Sequence, residues 1–481
     1  MQFETTDELA RELIRLRLVT DAQVAECHQS RPVTSDPGSL LDALEAQHFL
    51  TAYQAGKLRS GEKAPLVLGD YKLQYQNASG SFARVFRAAP LDPTDNRMIG
   101  VKVLRQRFLD DPKAIGHFHR EAELCMKLRH PNVVPIYDVG IDDEWHYFTM
   151  EFIEGGNLRD FIRIRKKLDP VEVLRCGCDM VEGLKYALSQ GMTHRDFKMS
   201  NVLMSSRGVA KLVDFGLAGD ATDGEDESVH AVEYAALEKN THAPINDPRS
   251  DLFFLGAVLY ELSSGVCPWK RTADPAERKQ FSRYSGIRPL AMADPNTPRV
   301  LADIIDRLLR INPDERYQSA EEAVADLRPA LSGLGDSKQA LAGQPGNTQE
   351  KRPNSIPTVL CVEYRPKQQD LLREYLSKHG FRVLMLSSWE RALTRIRSNP
   401  PDGLVLMGDA LDGGHADAYD EALSWSKLQN IGCVVVLRSG EQALLDQLTP
   451  HASSQLLTQP TRLRDVRSAM LESLEACQNR E

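Results

Sequence analysis

The sequence predicts three folded parts along 481 residues: a small all-α module, an α+β body, and an α/β domain of the doubly wound kind. Three observations lead there. Two amphipathic helical stripes repeat at a fixed offset within the first sixty residues. From about Leu66 to Gly333, strand-length runs give way to helical periodicity. Beyond a polar gap, apolar runs of strand length alternate with helix-like stretches. At ~100–200 residues per domain, the length also calls for more than one domain.

Composition sets the class. With 42% apolar and 26% charged residues the chain resembles ordinary soluble proteins, so sizeable cores are expected. A net charge of -9 argues against a dedicated nucleic-acid binder. No apolar run approaches the ~20 residues that span a bilayer. MQFETTDELARE is acidic and lacks a secretory apolar region, which makes the cytoplasm the expected compartment. Of the eight cysteines only Cys176 and Cys178 lie close together, and one intervening residue is the wrong spacing for a CxxC pair. Cys178 falls on a helical stripe with Leu174, Val181, Leu184 and Leu188, so buried reduced thiols are expected.

Taken in order, residues 1–62 carry the repeat. Leu9, Leu13, Leu18, Val19, Thr20 and Gln23 align over Leu40, Leu44, Phe49, Leu50, Thr51 and Gln54. In each copy an apolar stripe meets a Thr that can cap a following helix. Two helical hairpins packed on each other is one reading; chance likeness between two amphipathic helices is the other. Residues 63–333 follow. YKLQYQNASGSFARVFRAAP reads as strand, turn and strand, RMIGVKVL as a third strand, and FHREAELCMKLR as an amphipathic helix; the part after Gly156 is mostly helical. Residues 334–355 are rich in Gly, Gln, Asn and Pro with almost no apolar periodicity, the signature of a linker. In 356–481, TVLCVEY, FRVLMLS, GLVLMG, GCVVVLR and SQLLTQ are strand-length runs separated by helical stretches, one with a Ser387–Glu390 capping box. Such alternation implies a parallel sheet covered on both faces.

The chemistry concentrates in HRDFKMSN, His194 to Asn201, followed by DFG at Asp214 to Gly216. Asp196 can sit beside a substrate hydroxyl, while Asn201 and Asp214 can hold metal ions that bridge nucleotide phosphates. Phosphoryl transfer needs that division of labour. Either triplet alone occurs by chance; ordered and closely spaced, they form a strong signal.

With these motifs, residues 63–333 resemble the eukaryotic-type (Hanks-type) Ser/Thr protein kinases of bacteria over essentially their whole length. The resemblance implies a bilobal protein kinase fold and, with ATP and Mg2+ as cofactors, transfer of the γ-phosphate to Ser or Thr of protein substrates in signal transduction. Lys102 in IGVKVL matches the lysine that neutralises α- and β-phosphate charge, and Glu121 in FHREAE the helix carboxylate that holds it. Asp196 would orient the substrate hydroxyl and accept its proton. Lys198 would lie against the γ-phosphate, and Asn201 and Asp214 would bind Mg2+. His194 and Phe215 read as packing residues, and Arg195 matches a position that often pairs with an activation-segment phosphate. On the nucleotide side, Gly80 belongs to the phosphate loop and Val85 would cover the adenine. Met150 would limit the back of the pocket, the Glu151 and Ile153 backbones would meet the adenine edge, and Asn157 the ribose. Asp251 would prop the catalytic loop, and Glu238 with Arg316 would form a buried brace.

The pattern breaks in places. Ala78, Gly80 and Ala83 stand where the phosphate loop usually carries three glycines, which predicts weakened nucleotide binding. Ala231 replaces a threonine hydroxyl expected to contact Asp196 and Lys198. The segment GDATDGEDESVHAVE is acidic and lacks Lys and Arg: it reads either as a substitute for activation-loop phosphate or as a solvated loop. Thr222 and Ser228 are its candidate phosphosites. These departures keep a second function open, a nucleotide-binding pseudokinase scaffold recruiting partners through its terminal modules.

Residues 356–481 resemble a response-regulator receiver, a flavodoxin-like fold, with Gly380 and Pro460 in the usual turns. Of the acidic pair only Glu363 remains, beside Tyr364. The acceptor position falls on Met407; Asp409, two residues on, is expected to face away from the pocket. Arg438 and Gln459 stand at the hydroxyl and Lys positions. The resemblance therefore implies a degenerate receiver used for docking or dimerisation. Protein substrates and protein partners of both end modules are expected, with neither nucleic acid nor a membrane span.

Overall fold

The computed structural model describes residues 3–30, 34, 36–47, 49–92, 94–95, 97–154, 156–205, 208–215, 232–272, 274–342, 357–386, 389–398, 400–411 and 415–478. It divides into two compact units, Met1–Ser79 with Val85–Ile99 and Arg352–Glu481, and Gly80–Arg84 with Gly100–Lys351.

The first unit opens with helices α1 (Thr6–Arg15), α2 (Asp21–Ser30), α3 (Pro37–Ala46) and α4 (Ala52–Ser60). Leu9, Leu13, Leu18 and Val19 share one buried apolar cluster with Leu40, Leu44 and Leu50. Thr20 and Thr51 make the same reciprocal cap. Their hydroxyls accept the amides of Gln23 and Gln54 at 3.3 and 3.2 Å, and each Gln side-chain oxygen accepts its Thr amide at 2.9 Å. Strands β1 (Val67–Leu68), β2 (Tyr71–Ser79) and β3 (Ala83–Pro90) follow, β1 antiparallel to β2.

The second unit passes from sheet to helix. It holds β4 (Ile99–Leu104), α5 (Pro112–Cys125) and the antiparallel pair β5 (Ile136–Asp142) and β6 (Trp145–Glu151). Asp111 caps α5 by accepting the amides of Lys113 and Ala114. Next come α6 (Leu158–Arg165), α7 (Pro170–Ser189), the short hairpin β7 (Val202–Met204) and β8 (Ala210–Leu212), and α8 (Val232–Thr241). The remainder is α9 (Pro248–Ser264), α10 (Pro275–Arg278), α11 (Leu290–Ala293), α12 (Arg299–Leu308) and α13 (Ala320–Ala342). Helix α9 is buried from Ser250 through Ser263 and forms the centre of the helical part.

Two sequence readings change here. On α7 the buried stripe runs through Val173, Leu174, Cys176, Met180 and Val181, so Cys176 is the buried thiol and Cys178 is only half-buried. All eight cysteines are free thiols. Helix α13 continues to Ala342, past residue 334 where the linker was expected. Ala, Leu, Lys and Gln in this stretch are good helix formers, and a formed helix propagates at little cost.

The C-terminal part contains β9 (Thr358–Val362), α14 (Pro366–Lys378), β10 (Arg382–Leu386), α15 (Trp389–Ser398) and β11 (Gly403–Met407). It ends with α16 (His415–Leu428), β12 (Gly432–Leu437), β13 (Ser454–Thr458) and α17 (Leu463–Gln478). The strands are parallel in the order β10-β9-β11-β12-β13. Strand alternation separates two cores. Leu360, Val362, Leu404 and Leu406 pack with α15 and α16, whereas Val359, Cys361, Val405 and Met407 pack with α14 and α17. Ser387 lies outside the described residues, and the expected Ser387–Glu390 box with it.

Asp409 does not face away. Its carboxylate accepts from Gln459 Nε2 at 2.7 Å and pairs with Arg365 at 2.6 Å and Arg438 at 3.5 Å. The reason is local: residues two apart along a strand share a side, and β11 stops at Met407, so Asp409 sits in a 3-10 turn over Gly408–Ala410 with nothing to turn it outward. Arg365 also grips the fully buried Glu363 through Nε and Nη2, at 3.0 and 2.8 Å, so one guanidinium bridges both carboxylates.

Candidate active site

Lys102 points from β4 between two carboxylates. Its Nζ lies 3.2 Å from Glu121 Oε1 on α5 and 2.8 Å from Asp214 Oδ1, and the residue is almost wholly buried. Burial alone would lower the Lys102 ammonium; the charges of Asp214 and Glu121 outweigh it and hold it above its ordinary value. Burial raises Glu121, with Lys102 offsetting part of the rise. At Asp214 burial is overcome by Lys102, and the carboxyl sits below the usual range. The triad therefore presents an ionised Asp214 and a charged Lys102. Asp214 also has φ +56°, an uncommon backbone conformation for a non-glycine residue.

The loop before β7 gathers a second group. Asp196 Oδ2 accepts from Lys198 Nζ at 2.6 Å and from Asn201 Nδ2 at 2.7 Å, and Asn201 Nδ2 also reaches the Asp196 carbonyl at 3.0 Å. The Asn201 amide is thus oriented with Nδ2 towards Asp196, and its Oδ1 accepts from Ser200 Oγ at 3.3 Å. Asp251, buried on α9, accepts the amides of His194 and Arg195 at 2.8 and 2.9 Å and the Tyr234 hydroxyl at 2.9 Å. Burial pushes Asp251 up to about 6. His194 is fully buried, stacks on Phe215 with ring centres 4.6 Å apart, and is held down to about 4 by burial.

Tyr234 is the residue the sequence reading missed. Its oxygen accepts the Phe197 amide at 3.1 Å while donating to Asp251, so it ties the loop to α9. A Tyr in VEYAALE gives a signal only when its position relative to Asp251 is known.

The brace is redistributed. Glu238 lies 3.9 Å from Arg195, both largely buried, instead of pairing with Arg316. Arg316 donates to the carbonyls of Arg310, Ile311 and Arg249 at 2.6, 2.7 and 3.1 Å and covers the Phe253 ring. Burial lowers it to about 10, and three carbonyl dipoles answer its charge. Arg195, with φ +56°, thus meets a carboxylate of α8 where an activation-segment phosphate was expected.

The nucleotide side is less complete. Gly80 closes a tight turn: its amide donates to Ala83 O at 3.0 Å, and its carbonyl accepts from Arg105 Nε at 2.8 Å. Arg107 donates to the Ser81 carbonyl. A Cβ on Gly80 would stand 3.3 Å from Ala83 O, so this turn favours glycine by space rather than by φ. Val85 is half-buried on β3. Met150 is buried on β6 against Gly100, where an added Cβ would approach its Cγ to 3.1 Å. The Glu151 amide is already bonded to Pro135 O at 3.1 Å and its carboxylate to Lys211 at 2.6 Å. Ile153 is buried. The Asn157 side chain is turned to its own helix, accepting the Asp160 amide at 3.0 Å as the α6 cap and donating to Asp160 Oδ2 at 2.9 Å. Residues 216–231, including Gly216, Thr222, Ser228, Ala231 and the acidic segment, lie outside the described residues.

Comparison with protein families matches residues 71–327 to the protein kinase domain. A probable serine/threonine-protein kinase of Clostridium perfringens is 32% identical over 235 residues, 48% of this chain and 34% of that protein. Serine/threonine-protein kinase PrkC of Bacillus subtilis is 30% identical over 269 residues, covering 55% and 41%. Serine/threonine-protein kinase PknB of Mycolicibacterium smegmatis is 31% identical over 362 residues, covering 71% and 56%. The chain thus spans less than two thirds of the length of these relatives.

Proposed function

The chain belongs to the protein kinase domain family, and from that premise we propose that it transfers the γ-phosphate of ATP to Ser or Thr hydroxyls of protein substrates in signalling. One observation carries the reading: Lys102 is clamped between Glu121 and Asp214, and Asp196, Lys198 and Asn201 share a single hydrogen-bonded group.

Each residue then has a task. Lys102, held by Glu121, neutralises phosphate charge. Asp196, oriented by Lys198 and Asn201, accepts the substrate proton. Lys198 offsets charge that develops during transfer. Asp251 and Tyr234 hold the loop backbone and touch no substrate. Asn201 and Asp214 supply hard oxygen donors that fit Mg2+, which when bound would neutralise phosphate charge. Gly80, Met150 and the Glu151–Ile153 backbone would line the nucleotide.

The flanking parts are assigned to protein partners. The 31-residue offset and the duplicated Thr–Gln cap support a helical repeat module. The strand order with its two cores supports a flavodoxin-like, receiver-like domain, and Met407 at the acceptor position supports a docking role over phosphotransfer. The described residues include no helix long and apolar enough to cross a membrane.

Transfer of labelled phosphate from ATP to Ser- and Thr-containing peptides tests the assignment. Asp196→Ala and Asp214→Asn should each lose roughly 10²-fold or more in rate. Equal rates in both variants and the parent would refute it.

A further inference from the structure

Strands β2 and β3 carry a buried polar cluster that the phosphotransfer chemistry does not use. Arg87, on β3, is 6% exposed; its Nη1 donates to Tyr75 Oη on β2 at 2.9 Å and to Gln369 Oε1 on α14 at 3.0 Å. The guanidinium also lies over the Tyr75 ring, 5.4 Å from its centre. Gln369, 2% exposed, donates its Nε2 to the Glu363 carbonyl. Both ends of this carboxamide are therefore engaged, and only one orientation serves: reversed, its NH2 would face the guanidinium. The Glu363 carboxylate is in turn locked by Arg365, which also holds Asp409. A polar path thus runs from the receiver-like cluster to β3.

The same strands receive the N-terminal helices. Thr51 Oγ1 donates to Gln74 O at 2.6 Å, Gln54 Nε2 to Leu73 O at 2.9 Å, and Lys72 Nζ to Leu18 O at 2.8 Å.

We propose that the β2–β3 pair is a docking platform for both ends of its own chain, and that the C-terminal α/β domain is a cis partner of the kinase domain, keyed to it by Gln369 and Arg87. This deepens the assignment of the end modules to protein partners, on which it rests, by naming the partner as a surface of the same molecule. Burying a guanidinium demands a defined acceptor, and Gln369 supplies one from 282 residues away in sequence.

Amide exchange on the full-length chain tests this without reading phosphotransfer, so a chain inactive as a kinase still gives an answer. Gln369→Lys places a second cation against Arg87 and should raise exchange at 85–90 about 10-fold. Gln369→Ala, which adds no charge, should raise it about 3-fold. The double variant Arg87→Glu with Gln369→Lys should return exchange to within about 2-fold of the parent. Unchanged exchange at 85–90 in Gln369→Ala and Gln369→Lys, with protection of β9 through β13 retained, would overturn the docking. So would a double variant no better protected at 85–90 than Gln369→Lys alone.

Discussion

At the residue scale, the site rests on two buried titratable groups that pull in opposite directions. His194 is held down to about 4 from its ordinary 6.5, and Asp251 is pushed up to about 6 from 3.8, both by burial. Neutral His194 contributes stability that is full above pH 6.5 and is lost as pH falls towards 4. Protonated Asp251 contributes stability that is full below pH 3.8 and is lost as pH rises through 6. Between pH 4 and 6 the two slopes oppose each other. Asp251→Asn removes the second, so urea unfolding should show its stability rising with pH more steeply than the parent's in that window, by up to about 1.4 kcal/mol per pH unit. An identical slope would count against Asp251 as the raised group. Tyr234→Phe deletes the hydroxyl that joins Phe197 N to Asp251, and should cost about 1–3 kcal/mol in the same assay. The roles proposed for Lys102, Glu121, Asp196, Lys198, Asn201 and Asp214 come from short ordered motifs in the sequence. Tyr234 was not legible there, because its role exists only where α8 meets α9.

At the element scale, helix caps and close helix crossings separate what repeats from what docks. Thr20 and Thr51 make equivalent caps, and Thr20→Ala should cost about 1 kcal/mol. Thr51 also donates to Gln74 O on β2, so Thr51→Ala should cost about 1 kcal/mol more, read as a lower thermal midpoint. Equal losses would mean the β2 bond contributes nothing. On α9, a Cβ at Gly256 would come within 2.7 Å of Leu308 Cβ on α12; Gly256→Ala should therefore destabilise by about 1–3 kcal/mol. Periodicity located the strands and long helices well, because burial imposes a period of 2 or 3.6 on them. It failed at element ends. The phase on α7 favoured Cys178 over Cys176, and α13 outran the compositional edge of the linker. Asp409 lies in the 3-10 turn after β11, where strand periodicity no longer places side chains.

At the scale of the whole molecule, the C-terminal part has a five-stranded parallel sheet while its polar residues hold one another. Asp409 is occupied by Arg365, Arg438 and Gln459, so acetyl phosphate with Mg2+ should leave no hydroxylamine-labile phosphate on it. Such a phosphate on Asp409 would overturn the docking role. Met407 is 7% exposed among Val405, Val434 and Val436, so Met407→Asp should destabilise the domain by several kcal/mol without creating an acceptor. By itself the sequence determined the periodic elements and which residue types are proposed for catalysis, because these are properties of neighbours along the chain. Only the tertiary structure decided the pairings: Arg195 with Glu238, Arg365 between Glu363 and Asp409, and Arg87 with Gln369. Several acceptors compete for each guanidinium in the sequence, and packing alone selects the one that burial brings within reach.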